Sequence, residues 1–191
     1  VKKPQEVEVK ISVADAARMR AALRQKGFRV HKARVFENNL LLDDPQGSLK
    51  DRNLLLRVRT AGKTITCTFK NKEIPGVHKR REEREFHPDN LTECLAVFEG
   101  LGYAPAYTYE KYRTEFARTQ EDGTPEPGVI TLDETPIGLF IELEGPARWI
   151  DRTAKELGYS RTDYITASYA VLFAAWCREY GVESNHMTFG S

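Results

Sequence analysis

Glu6, Glu8 and Lys10 occupy alternate positions in the run EVEVKI, with Val7, Val9 and Ile11 between them. A β-strand sends residues i, i+2 and i+4 to one face, so two carboxylates and an ammonium share a face and the aliphatic residues share the other. The pattern returns downstream with its signs sorted. Arg57 and Arg59 alternate in LLLRVR, Thr64, Thr66, Thr68 and Lys70 in TITCTFK, and Arg81, Glu83 and Glu85 in KRREEREF. Lys111, Arg113 and Glu115 alternate in EKYRTEF, Glu142 and Glu144 in LFIELEG, and Asp133 lies in the strand before it, VITLD. Acid pairs come from the first and late strands, basic pairs mostly from the middle. An exposed face ordinarily intersperses its charges. A face with cations gathered apart from carboxylates is chemically suited to an anion and metal ions held together.

Those strands need elements to position them. Val7, Val9, Leu56, Val58, Ile65, Phe69, Phe116 and Leu143 make an apolar face that must be buried. Amphipathic helices are available to cover it. Asp15 is placed to cap ADAARMRAALRQKG, which stops at Gly27, and Asn90 to cap LTECLAVFEGLG. Two further helices are expected near 147–157 and 166–180. Strands are expected near 5–13, 78–87 and 107–118, with a tight turn at Ala61–Gly62 and a hairpin turning at Thr135–Gly138. About eight mostly antiparallel strands result, an α+β class. The charged face either meets open solvent or, if the sheet closes, lines a water-filled lumen.

With 191 residues the chain suits one domain, expected over 1–182, followed by a loosely ordered tail over 183–191. The net charge of +1 gives no reason to expect nucleic acid or a membrane as partner, although charged residues make up 30% of the chain. Cys67, Cys94 and Cys177 have no metal-ligand spacing and read as free thiols. No apolar run reaches membrane-spanning length and no signal-peptide pattern opens the sequence, so a cytoplasmic location is expected. His31, His78, His87 and His186 are scattered without triad or zinc spacing and read as surface or incidental residues, Tyr169 as helix packing or fold closure. The GKT at 62–64 lacks the spacing of a phosphate-binding loop.

The ordered set Glu6-x-Glu8-x-Lys10, Leu56-Arg57-Val58-Arg59, Lys70, Arg81-x-Glu83-x-Glu85, Lys111-x-Arg113, Asp133 and Gly138-Leu139-Phe140-Ile141-Glu142-Leu143-Glu144 resembles the CYTH superfamily, the triphosphate tunnel metalloenzymes, over about residues 5–145. The run Tyr164-Ile165-Thr166-Ala167-Ser168-Tyr169 resembles the C-terminal segment of its class IV adenylyl cyclase-like branch. The resemblance implies an eight-stranded antiparallel β tunnel, a closed barrel with a charged lumen and flanking helices. It implies a triphosphate substrate cradled by Lys10, Arg57, Arg59, Lys70, Arg81, Lys111 and Arg113, with Lys10, Lys70 and Arg113 closest to the chemistry. It implies Mg2+ or Mn2+ on Glu6, Glu8, Asp133, Glu142 and Glu144, with Glu83 and Glu85 as further ligands or as partners of Arg57 or Arg59. Glu115, two positions past Arg113, is placed to pair with that cation. A homodimer is plausible for the cyclase-like branch.

Three activities are compatible with such a tunnel. One is cyclisation of ATP to cyclic AMP and pyrophosphate, favoured by the resemblance. The second is hydrolysis of tripolyphosphate, thiamine triphosphate or a nucleoside triphosphate. The third is polyphosphate or nucleotide binding without catalysis, which would not need the acidic set. Similar triphosphatases carry a tyrosine where this chain has Leu42, in Leu42-Asp43-Asp44-Pro45, which weighs against hydrolysis if that tyrosine orients water.

Overall fold

A computed structural model describes residues 5–190. Eight strands form a closed barrel: β1 (Gln5–Val13), β2 (Arg29–Asp43), β3 (Leu55–Ala61), β4 (Thr64–Lys70), β5 (Lys79–Phe86), β6 (Ala104–Ala117), β7 (Val129–Thr135) and β8 (Gly138–Glu144). Around the barrel they run β1-β5-β4-β3-β2-β6-β7-β8, every neighbour antiparallel. Closure removes the sheet edges and puts every alternate side chain inside. The expected α+β class and closed barrel are both present.

Register carries the charge pattern across strands. Glu8 lies opposite Lys79 and Glu144, Lys10 opposite Glu142, Lys70 opposite Glu83, and Arg113 opposite Asp133. Directly opposed side chains lie about 5 Å apart at Cβ, so most of these opposed charges become ion pairs between neighbouring strands, while Glu8 and Glu144 repel.

The outward side chains are buried by helices. From α1 (Ala16–Gln25) and α4 (Ala147–Glu156), Met19, Leu23, Trp149, Ile150 and Ala154 pack on Val9, Ile11, Phe116, Ile130, Leu132, Ile141 and Leu143. From α3 (Leu91–Gly100), Cys94, Leu91, Leu95 and Phe98 cover Leu42, Val58 and Cys67. Most of the expected apolar face is thereby covered; Phe69 is not, and stays 37% exposed outside these clusters. Asp15 and Asn90 cap α1 and α3 as expected, accepting from Arg18 N–H at 2.8 Å and Glu93 N–H at 3.2 Å. A short helix α2 (Ser48–Asp51), not expected from its loop composition, forms because the Asp43 carboxylate accepts from the N–H groups of Leu49 and Lys50 and that of Asp44 from Ser48.

The last helix, α5 (Tyr169–Tyr180), starts three residues later than expected, at the Ser168 cap. The chain beyond it is bonded to the barrel, which corrects the expectation of a loose tail. Met187 is fully buried; its N–H donates to Thr108 C=O at 3.0 Å, and its own C=O accepts from Glu110 N–H at 2.8 Å. Residue 191, the end of the expected tail, lies outside the described residues, as do residues 1–4. His78 is also no free surface residue, since its Nε2 lies 2.7 Å from Asp151. Within the GKT run, Gly62 and Lys63 form the turn between β3 and β4 and Thr64 opens β4.

Candidate active site in the barrel lumen

One cavity of about 1160 Å3 occupies the lumen. Every charged residue expected at the site lines it except Asp133: Glu6, Glu8, Lys10, Arg57, Arg59, Lys70, Arg81, Glu83, Glu85, Lys111, Arg113, Glu142 and Glu144 all face it. Alternation on six strands therefore converges on a single space.

One wall is built by β2, β3, β4 and β5. Arg57 Nη2 donates to Thr68 Oγ1 at 3.0 Å, and Thr68 donates on to Glu85 at 2.8 Å. Arg59 Nε donates to Asn39 Oδ1 at 3.0 Å. Lys70 Nζ bridges Glu6 at 2.6 Å and Glu83 at 2.9 Å. Glu83 and Glu85 also lie 3.9 and 3.7 Å from Arg57; among the described residues neither is paired with Arg59. Arg81 Nη2 donates to Asn53 Oδ1.

On the opposite wall, Lys10 pairs with Glu142 at 2.8 Å and Arg113 pairs with the other Glu142 oxygen. Asp133 is fully buried beneath this wall. It receives Lys111 Nζ at 2.8 Å, Arg113 Nε at 2.7 Å and Nη2 at 2.6 Å, and the Tyr169 hydroxyl at 2.7 Å. Both its oxygens are committed to these donors and it does not face the cavity, a geometry unlike that expected of a metal ligand. Tyr169 does more than pack: its ring lies 4.5 Å from Lys10 Nζ and 5.1 Å from Lys111 Nζ. Glu115 pairs with Lys32 at 2.9 Å, not with Arg113.

Burying so many charges is costly, and the pKa shifts show where the strain lies. Burial opposes ionisation of Glu8, yet Lys79, 2.6 Å away, brings it down to about 2. Burial likewise opposes ionisation of Glu37, but Lys111, Arg113 and Arg59 hold it at about 2. Glu144 goes the other way: burial, and then the nearby Glu6 and Glu8, push it up to about 7. Burial and a hydrogen bond with Glu6 push Glu83 up to about 8. The acidic side of the lumen thus holds more carboxylates than its lysines neutralise. Arg57 Nε, Arg81 Nε and Glu37 Oε2 are buried without a hydrogen-bond partner. Unpaired donors on one wall and repelling carboxylates on the other suit an anion and a hard cation.

Four wall residues escaped the sequence reading. Glu37 and Asn39 alternate along β2, Tyr109 is in phase with Lys111 and Arg113, and Lys79 is in phase with Arg81. Each was legible by the alternation that exposed Glu6 and Glu8. At one end the charged rows give way to Tyr109 and Phe140, which pack with Tyr169, Phe173 and Met187.

The CYTH domain family matches residues 4–169. The chain belongs to the CYTH family. Enzymes of this family process triphosphate substrates and depend on a divalent metal. A Methanocaldococcus jannaschii protein named "putative adenylate cyclase" is 24% identical over 139 residues, 73% of this chain and 75% of its own length. A Vibrio parahaemolyticus structure, also a "putative adenylate cyclase", superposes with a TM-score of 0.76 at 20% identity, covering 91% of this chain and 99% of that one. A Hippeastrum structure described as a "putative adenylyl cyclase" with a dominant triphosphatase activity gives 0.62 at 17% identity, covering 90% and 95%. At these identities the two structures speak for the fold. Among the described residues no helix is long and apolar enough to cross a membrane.

Proposed function

We propose that this CYTH protein binds a triphosphate along its barrel lumen and, with Mg2+ or Mn2+, converts ATP to cyclic AMP and pyrophosphate. The observation that carries the triphosphate reading is the lumen cavity with Arg57, Arg59 and Lys70 on one wall, Lys111 and Arg113 on another, and unneutralised carboxylates beside them. The choice of cyclisation leans on the names of the M. jannaschii and V. parahaemolyticus relatives.

Arg57 and Arg59 present planar donor forks to phosphate oxygens, and Lys70 and Lys111 add compact charges. Lys10 and Arg113 are held in line by Glu142, so the cradle is oriented before the ligand arrives. Glu6, Glu8, Glu142 and Glu144 are the residues that would hold a divalent ion. Among the described residues no three acidic side chains yet converge on one point, Glu6 and Glu8 being turned to Lys70 and Lys79. The donor set nevertheless fits a hard cation, because Glu144 is driven toward protonation by burial and by its acidic neighbours. Such an ion neutralises charge on the phosphoryl oxygens. Asp133, from beneath the wall, positions Lys111, Arg113 and Tyr169 without touching the substrate.

Cyclisation requires the ribose 3′-hydroxyl to attack the α-phosphorus as the bond to the leaving pyrophosphate breaks. In the hydrolytic reading, water attacks the terminal phosphorus in the same cradle. That alternative is favoured by a specific observation: Leu42 faces outward, in the cluster with Val58 and Cys67, so a side chain at position 42 does not reach lumen water. The absent tyrosine therefore no longer weighs against hydrolysis. Purified protein supplied with ATP or with tripolyphosphate, each with Mg2+ or Mn2+, separates the readings by product. Cyclic AMP and pyrophosphate support cyclisation. Orthophosphate without cyclic AMP replaces it with hydrolysis, and binding without any product leaves a non-catalytic binder.

A further inference from the structure

On the outside of the barrel, away from the lumen, two thiols meet. Cys67 points outward from β4, opposite Val58 and Phe86 in register, and Cys94 points inward from the first turn of α3. Their Sγ atoms are 3.1 Å apart. Both are buried, at 1% and 7% exposure, in the cluster with Leu42 and Val58. The third cysteine, Cys177, belongs to the separate cluster under α5.

We propose that Cys67 and Cys94 are a reversible oxidation site, closing to a disulfide that tethers α3 to the barrel strand behind the phosphate cradle. Bond formation needs the sulfurs to approach by only about 1 Å, since a disulfide bond is about 2.05 Å long. Both side chains already face each other across a helix–sheet contact. The oxidant is a small neutral peroxide, which carries no charge to be desolvated on entering the apolar cluster around the two sulfurs. The balance is two thiols and one hydrogen peroxide giving one disulfide and two waters. The Cys94 sulfur attacks a peroxide oxygen, the O–O bond breaks, and the first water leaves. The Cys67 sulfur then attacks the Cys94 sulfenic acid, forming the S–S bond and releasing the second water with the Cys67 proton. Burial, with Cys94 alongside, pushes the Cys67 thiol up to about 12, which makes it a poor nucleophile toward the peroxide.

The disulfide would enclose the segment from 67 to 94, which holds Lys70, Arg81, Glu83 and Glu85. Thr68, which orders Arg57 and Glu85, is the next residue after Cys67. Oxidation therefore restrains the cation wall without any new contact inside the lumen.

The test treats the full chain with hydrogen peroxide, then counts thiols under denaturing conditions and measures intact mass. The expected result is a fall from three free thiols to one, a mass loss of two hydrogens, a Cys67–Cys94 linked peptide, and full reversal by dithiothreitol. Without reductant the melting temperature should rise by roughly 10 °C, from closing a loop of this length in a domain of this size. Cys177→Ser should behave like the parent, whereas Cys94→Ser should show no mass loss. Retention of all three thiols, participation of Cys177, or oxidation ending at irreversible sulfinic or sulfonic acid would overturn the proposal.

Discussion

Replacing Asp133 by Asn tests whether the lumen is held from beneath by one buried carboxylate. Asp133 is fully buried and accepts from Lys111, from two nitrogens of Arg113, and from Tyr169. The amide keeps the volume but removes the charge, and it points an NH2 group at donors. Among the described residues Lys111 then retains Glu37, 3.7 Å away, as its one paired carboxylate, although it is itself 2% exposed. Removing one partner of a buried pair costs about 3–5 kcal/mol, chiefly from stranding the other charge. At roughly 2–4 °C per kcal/mol for a domain of this size, the midpoint should fall by roughly 6–20 °C. Arg34→Gln provides the contrast: Arg34 is 46% exposed and pairs with Glu134 at 2.9 Å, and surface pairs contribute about 1 kcal/mol or less. Urea denaturation of both variants and the parent, with and without manganese, is the assay. Manganese should stabilise Asp133→Asn by the same increment as the parent, because the carboxylate does not face the cavity. A loss below about 1 kcal/mol, against the 3–5 expected, would refute the positioning role. So would selective loss of manganese stabilisation, which would return Asp133 to the metal ligands.

Other outcomes follow from the same geometry. Arg57→Ala should weaken tripolyphosphate binding by roughly 10- to 100-fold in calorimetry, the worth of a charged hydrogen-bond donor; equal affinity would remove it from the cradle. Glu142→Gln should abolish metal-dependent turnover, since it would hold the ion and also orders Lys10 and Arg113; unchanged product formation would sink that assignment. Glu144 sits at about 7 in the folded chain against an ordinary 4.5. Between those values the folded state holds the extra proton, so this group's contribution to stability falls as pH rises from about 4.5 to about 7 and is level above. Manganese must displace that proton, so its affinity should rise with pH up to about 7 and flatten; Glu144→Gln should show a shallower rise in a titration series. Met187→Ala should cost about 2–5 kcal/mol by truncating a fully buried side chain; a neutral result in denaturation would mean that the docked C-terminal segment adds no stability.

Sequence by itself determined the alternation, and with it most of the fold. A strand has a period of two, so EVEVKI, LLLRVR and LFIELEG each declare one polar and one apolar face, and Asp15 and Asn90 declare where helices begin. Thirteen of the expected charged residues share the face that lines the cavity once the barrel closes. Tertiary structure decided what alternation leaves open. Parity gives the face but not the depth, so Asp133 and Glu142 looked equivalent until closure put one beneath the wall and the other in the lumen. It chose among partners, giving Glu115 to Lys32 and leaving Glu83 and Glu85 with Arg57. It set the protonation of Glu144 and Glu83, which depends on burial and on carboxylates from a different strand. It also brought Cys67 to Cys94 and seated Met187 beside Tyr109, contacts between segments far apart in sequence. Local pattern is written in neighbouring residues; pairing, depth and charge balance exist only once the barrel closes.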